Sequence, residues 1–111
     1  MERFVFINLL YDFYGQMLTK RQRQAVELYY QLDLSLSEIA AELSVSRQAV
    51  HDLLKRSEEA LEQYELRLGL VERWSDQQTK IKELRQLLEA LADEQEQRWQ
   101  QVFALLGELT Q

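Results

Sequence analysis

The chain has 111 residues, 13 Lys and Arg against 19 Asp and Glu, a formal net charge of −6, no cysteine, no proline and a single histidine. That length fits one domain with an appended arm, and a chain dominated by Leu, Glu, Gln, Ala and Arg with only three glycines is expected to be all-helical. Without cysteine there can be neither disulfides nor thiolate metal sites, and one histidine makes a histidine-based metal centre or catalytic dyad improbable; no cofactor is expected.

The first element predicted is a helix over residues 3–17, RFVFINLLYDFYGQM, with Val5, Phe6, Leu9, Leu10, Phe13, Tyr14 and Met17 apolar, Phe4, Ile7 and Tyr11 beside them, and a single polar seam at Asn8, Asp12 and Gln16. A helix apolar nearly all round is covered on more than one side. Either a second subunit or the chain's own C-terminal helices must supply that cover, and a homodimer is the expectation. Residues 4–14 are too few to cross a bilayer and contain Asn8 and Asp12. They also lack the basic flank and small-residue cleavage site of a secretion signal, so a cytoplasmic location is expected.

A second helix is predicted over residues 19–31. Thr19 and Gln22 have the spacing of a capping box, and Val26, Tyr29 and Tyr30 fall on its inner side. Lys20, Arg21 and Arg23 crowd its first turn, where cations oppose the helix dipole; free amides plus bases suit a phosphate, the plain alternative being a solvated basic turn.

The centre of the chain is SLSEIAAELSVSRQAVHDLLKR, residues 35–56. Ser35 with Glu38 makes another capping box, and Leu36, Ile39, Ala40 and Leu43 recur at helical spacing. Ser44-Val45-Ser46 interrupts the pattern, and Ser46 is placed to cap a second helix whose inner side is Val50, Leu53 and Leu54. Gln48, His51, Asp52 and Lys55 project from its other side. Two capped helices joined by so short a turn are a helix-turn-helix. Val50, Leu54, Ser57, Leu61, Tyr64 and Leu68 continue at spacings of three and four, so this helix should run to Leu68 and be capped by Gly69.

Beyond it, Leu70, Trp74, Ile81, Leu84, Leu88 and Leu91 keep a heptad-like spacing interrupted at Gln77, which predicts a further helix suited to packing. Residues 92–98 read as a turn or solvated bridge, and Trp99, Val102, Phe103, Leu106 and Leu109 as a last amphipathic segment. The expected division is a helical domain over 1–68, with its helix-turn-helix at 36–56, and a C-terminal helical extension over 69–111 for packing or dimerisation.

The stretch NLLYDFYGQMLTKRQRQAVELYYQLDLSLSEIAAELSVSRQAVHDLLKR resembles the YlxM family of bacterial helix-turn-helix proteins, over about residues 3–92, with NLLYDFY and SRQAV its most specific strings. That family is similar to region 4 of sigma factors. The resemblance implies a sigma-region-4-like fold, a small dimeric regulator that binds DNA, and a link to the signal recognition particle pathway drawn from gene position. Ser44 departs from the glycine common in such turns, and serine tolerates a positive backbone angle less well.

Charge qualifies this picture. Residues 20–56 carry six bases against five acids, while residues 57–111 carry six against twelve. The acidity therefore lies in the C-terminal half, and the helix-turn-helix region permits DNA binding without demanding it. Arg47, Gln48, His51 and Lys55 are the candidate base contacts, Gln suited to adenine edges and Arg or Lys to guanine. Lys20, Arg21, Arg23, Ser46 and Arg56 are the candidate phosphate contacts. Asp52 opposes phosphate unless it meets a cytosine amine, and Lys55 or Arg56 is expected to neutralise it along the helix. No phosphate loop, nucleophile elbow or metal-ligand spacing occurs, so neither enzyme chemistry nor a small-molecule substrate is expected. The alternative function is an adaptor that leaves DNA alone and contacts the signal recognition particle, through its RNA or GTPases, or RNA polymerase.

Overall fold

A computed structural model describes residues 1–92 and 97–110. Among these there are six α-helices and no strand: α1 (Arg3–Tyr14), α2 (Lys20–Val26), α3 (Leu36–Leu43), α4 (Arg47–Leu68), α5 (Leu70–Leu91) and α6 (Gln97–Leu109). Their contacts divide the chain into two compact units, Met1–Val71 and Glu72–Gln111.

In the first unit α4 is the central rod, packed against α1, α2 and α3. Its buried line is Val50, Leu54, Ser57 and Leu61. Ser57 fits this line because its hydroxyl is satisfied by donating to the Leu53 carbonyl at 2.7 Å, leaving a small side chain in the core. Against the rod lie Ile7, Leu10 and Tyr14 of α1, Ala25 and Val26 of α2, and Ile39 and Ala40 of α3. Burial of large apolar side chains, about 1.5–3 kcal/mol each, is what holds four short helices together.

The first two helices end sooner than their apolar pattern predicts. α1 stops at Tyr14 and tightens into a 3₁₀ turn over Gly15–Met17; α2 widens into a π turn over Glu27–Gln31. The π turn carries both tyrosines of the predicted helix, Tyr30 buried and Tyr29 partly so, with their rings edge to face at 4.9 Å. Most of the apolar surface of α1 is covered within the chain. Phe4, Val5 and Met17 stay exposed, at 41%, 47% and 49%.

Three tyrosine–carboxylate bonds tie this unit together: Tyr11 to Glu27, Tyr30 to Glu58, and Tyr14 to Glu65 at 2.6 Å. Arg3 adds an ion pair with Glu62 at 2.7 Å, and that hydrogen bond raises the guanidinium pKa further. Gly69 ends α4 in the left-handed conformation, φ 62°. The next two amides are then met from elsewhere: Leu70 N–H donates to the Tyr14 hydroxyl and Val71 N–H to the Glu65 carboxylate, both at 3.0 Å.

In the second unit α5 runs without a break through Gln77, where the sequence pattern falters. Leu84, Leu87 and Leu91 of α5 and Leu105 and Leu109 of α6 are exposed, whereas Leu106 is buried. Trp99 and Phe103, one turn apart on α6, stack at 6.3 Å. The turn expected over residues 92–98 has its centre, residues 93–96, outside the described residues, and α6 already begins at Gln97. No helix among the described residues is long and apolar enough to cross a membrane.

Candidate nucleic-acid interface

Each helix of the motif begins on the cap its sequence predicts. Ser35 and Glu38 exchange side-chain and backbone bonds at 3.1 and 3.0 Å, and acceptance from Ser35 holds the Glu38 carboxyl below its usual pKa. Ser46 accepts from Ala49 N–H at 3.0 Å. Between them Ser44 takes φ 56°, ψ 45°, the left-handed geometry that closes α3 and turns the chain into α4. Val45 closes the turn from beneath: its N–H bonds the Ala40 carbonyl at 3.0 Å, and its side chain packs on the core.

Capping at Ser46 and burial of Val50 and Leu54 set the rotation of α4, which leaves Arg47, Gln48, His51 and Lys55 all exposed. These four candidate base-reading residues share the first three turns of one helix. Gln48 Nε2 donates to Asp52 Oδ1 at 3.1 Å, and His51 Nδ1 lies 3.5 Å from the same oxygen. The partners of Asp52 are thus Gln48 and His51, not the Lys55 or Arg56 expected from sequence. Gln48 and Arg56 both stand one turn from Asp52; a helical side chain leans toward the helix N-terminus, which brings the carboxylate to Gln48.

The candidate phosphate contacts do not form one cluster. Arg56 and Arg21 line the same shallow cleft on one flank of α4, with Val45, Ala49, Asp52 and Leu53. Arg21 also donates to the Leu43 carbonyl at 3.0 Å, so its guanidinium closes the C-terminus of α3 as well as facing that cleft. Arg23 reaches back to Gln16 Oε1 at 3.5 Å; Lys20 is exposed in the first turn of α2. The Ser46 hydroxyl spends its acceptor on the helix cap and keeps its own proton for donation. On the opposite flank, His51 and Lys55 line a second cleft with Tyr29, Tyr30, Leu36 and Glu58. Tyr29 was not singled out from sequence as a surface residue; its half-burial beside two bases depends on the π turn, which no local pattern announces. Among the described residues no group of His, Asp or Glu is gathered as a metal site would need.

A short capped helix, a tight left-handed turn and a longer capped helix whose first turns expose Arg47, Gln48, His51 and Lys55 define a helix-turn-helix protein. Comparison with known families carries this further. The chain belongs to the UPF0122 family, whose model, described as "Putative helix-turn-helix protein, YlxM / p13 like", matches residues 1–103. It is 52% identical over 89 residues to a UPF0122 protein of Desulforamulus reducens, covering 80% of this chain and 76% of the relative. A UPF0122 protein of Caldanaerobacter subterraneus is 48% identical over 85 residues, covering 77% and 73%. One from Bacillus mycoides is 48% identical over 88 residues, covering 79% and 80%.

Proposed function

We propose that this protein is a DNA-binding regulator of the cytoplasm, with α4 as its major-groove helix. Arg47, Gln48, His51 and Lys55 read base edges, while Lys20, Arg21, Arg23, Ser46 and Arg56 hold the backbone on either side. The observation that carries this reading is the joint exposure of the four polar side chains on a helix whose inner side is fully packed. Membership of a helix-turn-helix family supports it. A near-neutral motif offers few phosphate contacts, so binding should be weak on random DNA and steep in salt only to the extent of those few contacts.

The test is an electrophoretic mobility shift on random-sequence duplex across a salt series. Arg47→Ala should weaken binding roughly 5- to 150-fold, corresponding to about 1–3 kcal/mol, and Lys20→Ala should flatten the salt slope by about one unit. Absence of any retained duplex at low salt would remove the reading.

The acid excess of residues 57–111 weighs against DNA and favours a second reading, an adaptor that leaves DNA alone. The family resemblance points that adaptor to the signal recognition particle, through its RNA or GTPases, or to RNA polymerase. Co-purification of the particle with a protein that retains no DNA would favour that adaptor. Under either reading the extension from residue 69 onward serves a homodimer, for which the exposed Leu84, Leu87 and Leu91 of α5 offer an apolar stripe.

A further inference from the structure

The residue least suited to a DNA-facing helix is Asp52, and the geometry gives it a use. It is exposed in the second turn of α4, within hydrogen-bond reach of Gln48 and beside His51, two of the proposed base-reading side chains. It also lines the cleft that holds Arg21 and Arg56. The carboxylate therefore stands between the groups that meet bases and a pair of groups that meet phosphates.

We propose that Asp52 is a specificity-determining residue of this surface, an inference that rests on the DNA-binding reading above. Two properties of the carboxylate act together. The first is alignment. A glutamine reads adenine with one N–H to N7 and its carbonyl to the N6 amine. Its amide carries a second N–H, which Asp52 Oδ1 accepts, so Gln48 stays in a fixed orientation without losing either base-reading group.

The second is selection. Once the helix enters the groove Asp52 loses water, and its remaining acceptor sites need a donor. An amine supplies one, N4 of cytosine or N6 of adenine; guanine and thymine edges and phosphates supply none, and leave a desolvated charge opposed to acceptors. With six bases against five acids in residues 20–56, one carboxylate weighs heavily in the balance. Asp52 thus trades non-specific affinity for discrimination, favouring an amine-bearing base, cytosine or adenine, beside the base read by Gln48.

The experiment is selection from a randomised duplex pool by the full chain and by Asp52→Asn, with mobility shifts on unselected duplex alongside. The asparagine keeps the size and an acceptor and removes the charge. At an exposed helical site it is not expected to disturb folding, which circular dichroism checks. The expected result has two parts. The unaltered protein enriches a motif with one position restricted to cytosine or adenine that the variant no longer restricts, and the variant binds unselected duplex about tenfold more tightly. The salt slope should be unchanged, because no phosphate contact is added. If both proteins bind DNA but enrich the same motif, or the variant gains no affinity for unselected duplex, the assignment of Asp52 is overturned while DNA binding stands. If neither protein retains DNA at low salt, both readings fall together.

Discussion

Ser44 and Asp33, at the two ends of α3, are non-glycine residues with positive φ, 56° and 57°. Left-handed backbone costs an L-residue roughly 1–2 kcal/mol, less for aspartate, whose short polar side chain bonds locally. At Ser44 the fold accepts that strain to swing α4 away from α3. Ser44→Gly should relieve it and raise stability by about 0.5–1 kcal/mol after the added freedom of the unfolded chain, seen as a higher urea midpoint at unchanged slope. Gly15 makes the opposite demand. Its φ is an ordinary helical −55°, but a β-carbon there would stand 2.9 Å from the Tyr11 ring, which the bond to Glu27 holds in place. Gly15→Ala should therefore destabilise by about 1–3 kcal/mol, the range for overpacking, and the loss should shrink in a Tyr11→Ala background where the ring is gone.

The elements show why some of this structure was legible in the sequence and some was not. The caps at Thr19, Ser35 and Ser46 were readable because donor and acceptor lie three residues apart, within one turn. So was the full run of α4 to Gly69, since its apolar spacing and its left-handed cap are local. The tyrosine–carboxylate bonds join residues 16, 28 and 51 positions apart, and nothing in a single sequence pairs Tyr14 with Glu65. The end of α1 has a local cue in Gly15, a poor helix former, whereas the π turn that follows α2 has none.

Those bonds make a pH signature. Burial, then the bond to Glu27, pushes Tyr11 up to about 12; burial, then Glu65 and Glu58, raises Tyr14 and Tyr30 as well. A folded-state pKa above the unfolded value of about 10 gives stability that is complete below pH 10 and is lost as pH rises through the folded value. The melting temperature should accordingly fall steeply between pH 10 and 12, and Tyr11→Phe should lessen the fall. Near neutrality, Tyr14→Phe should cost about 1–3 kcal/mol, because it removes one of the donors to Glu65 and leaves the Leu70 N–H that begins α5 without its acceptor.

On the scale of the whole molecule, charge and apolar exposure are unevenly spread. The exposed leucines of α5 and α6 stand in the acid-rich part of the chain, whereas the proposed reading surface lies in a part close to neutral. If the α5 stripe is the dimer contact, Leu87→Glu combined with Leu91→Glu should lower the mass seen by sedimentation to that of a monomer. The far-ultraviolet circular dichroism should be unchanged, since both side chains are already in water, at 64% and 72% exposure. Sequence periodicity placed these residues on a helix but did not disclose what covers them, because a stripe that meets its own chain and one that meets another have the same spacing.

α4 is one uninterrupted helix of 22 residues, about 33 Å from end to end, with no glycine, proline or wide turn along it. The end that carries Arg47, the proposed groove contact, and the end clasped by Tyr14 and Glu65 are consequently parts of a single rod. If loosening the clasp tilts the rod, Tyr14→Phe should reduce DNA retention although it alters nothing on the outer side of the helix. A partner that grips the far end would thereby steer the near one by leverage alone.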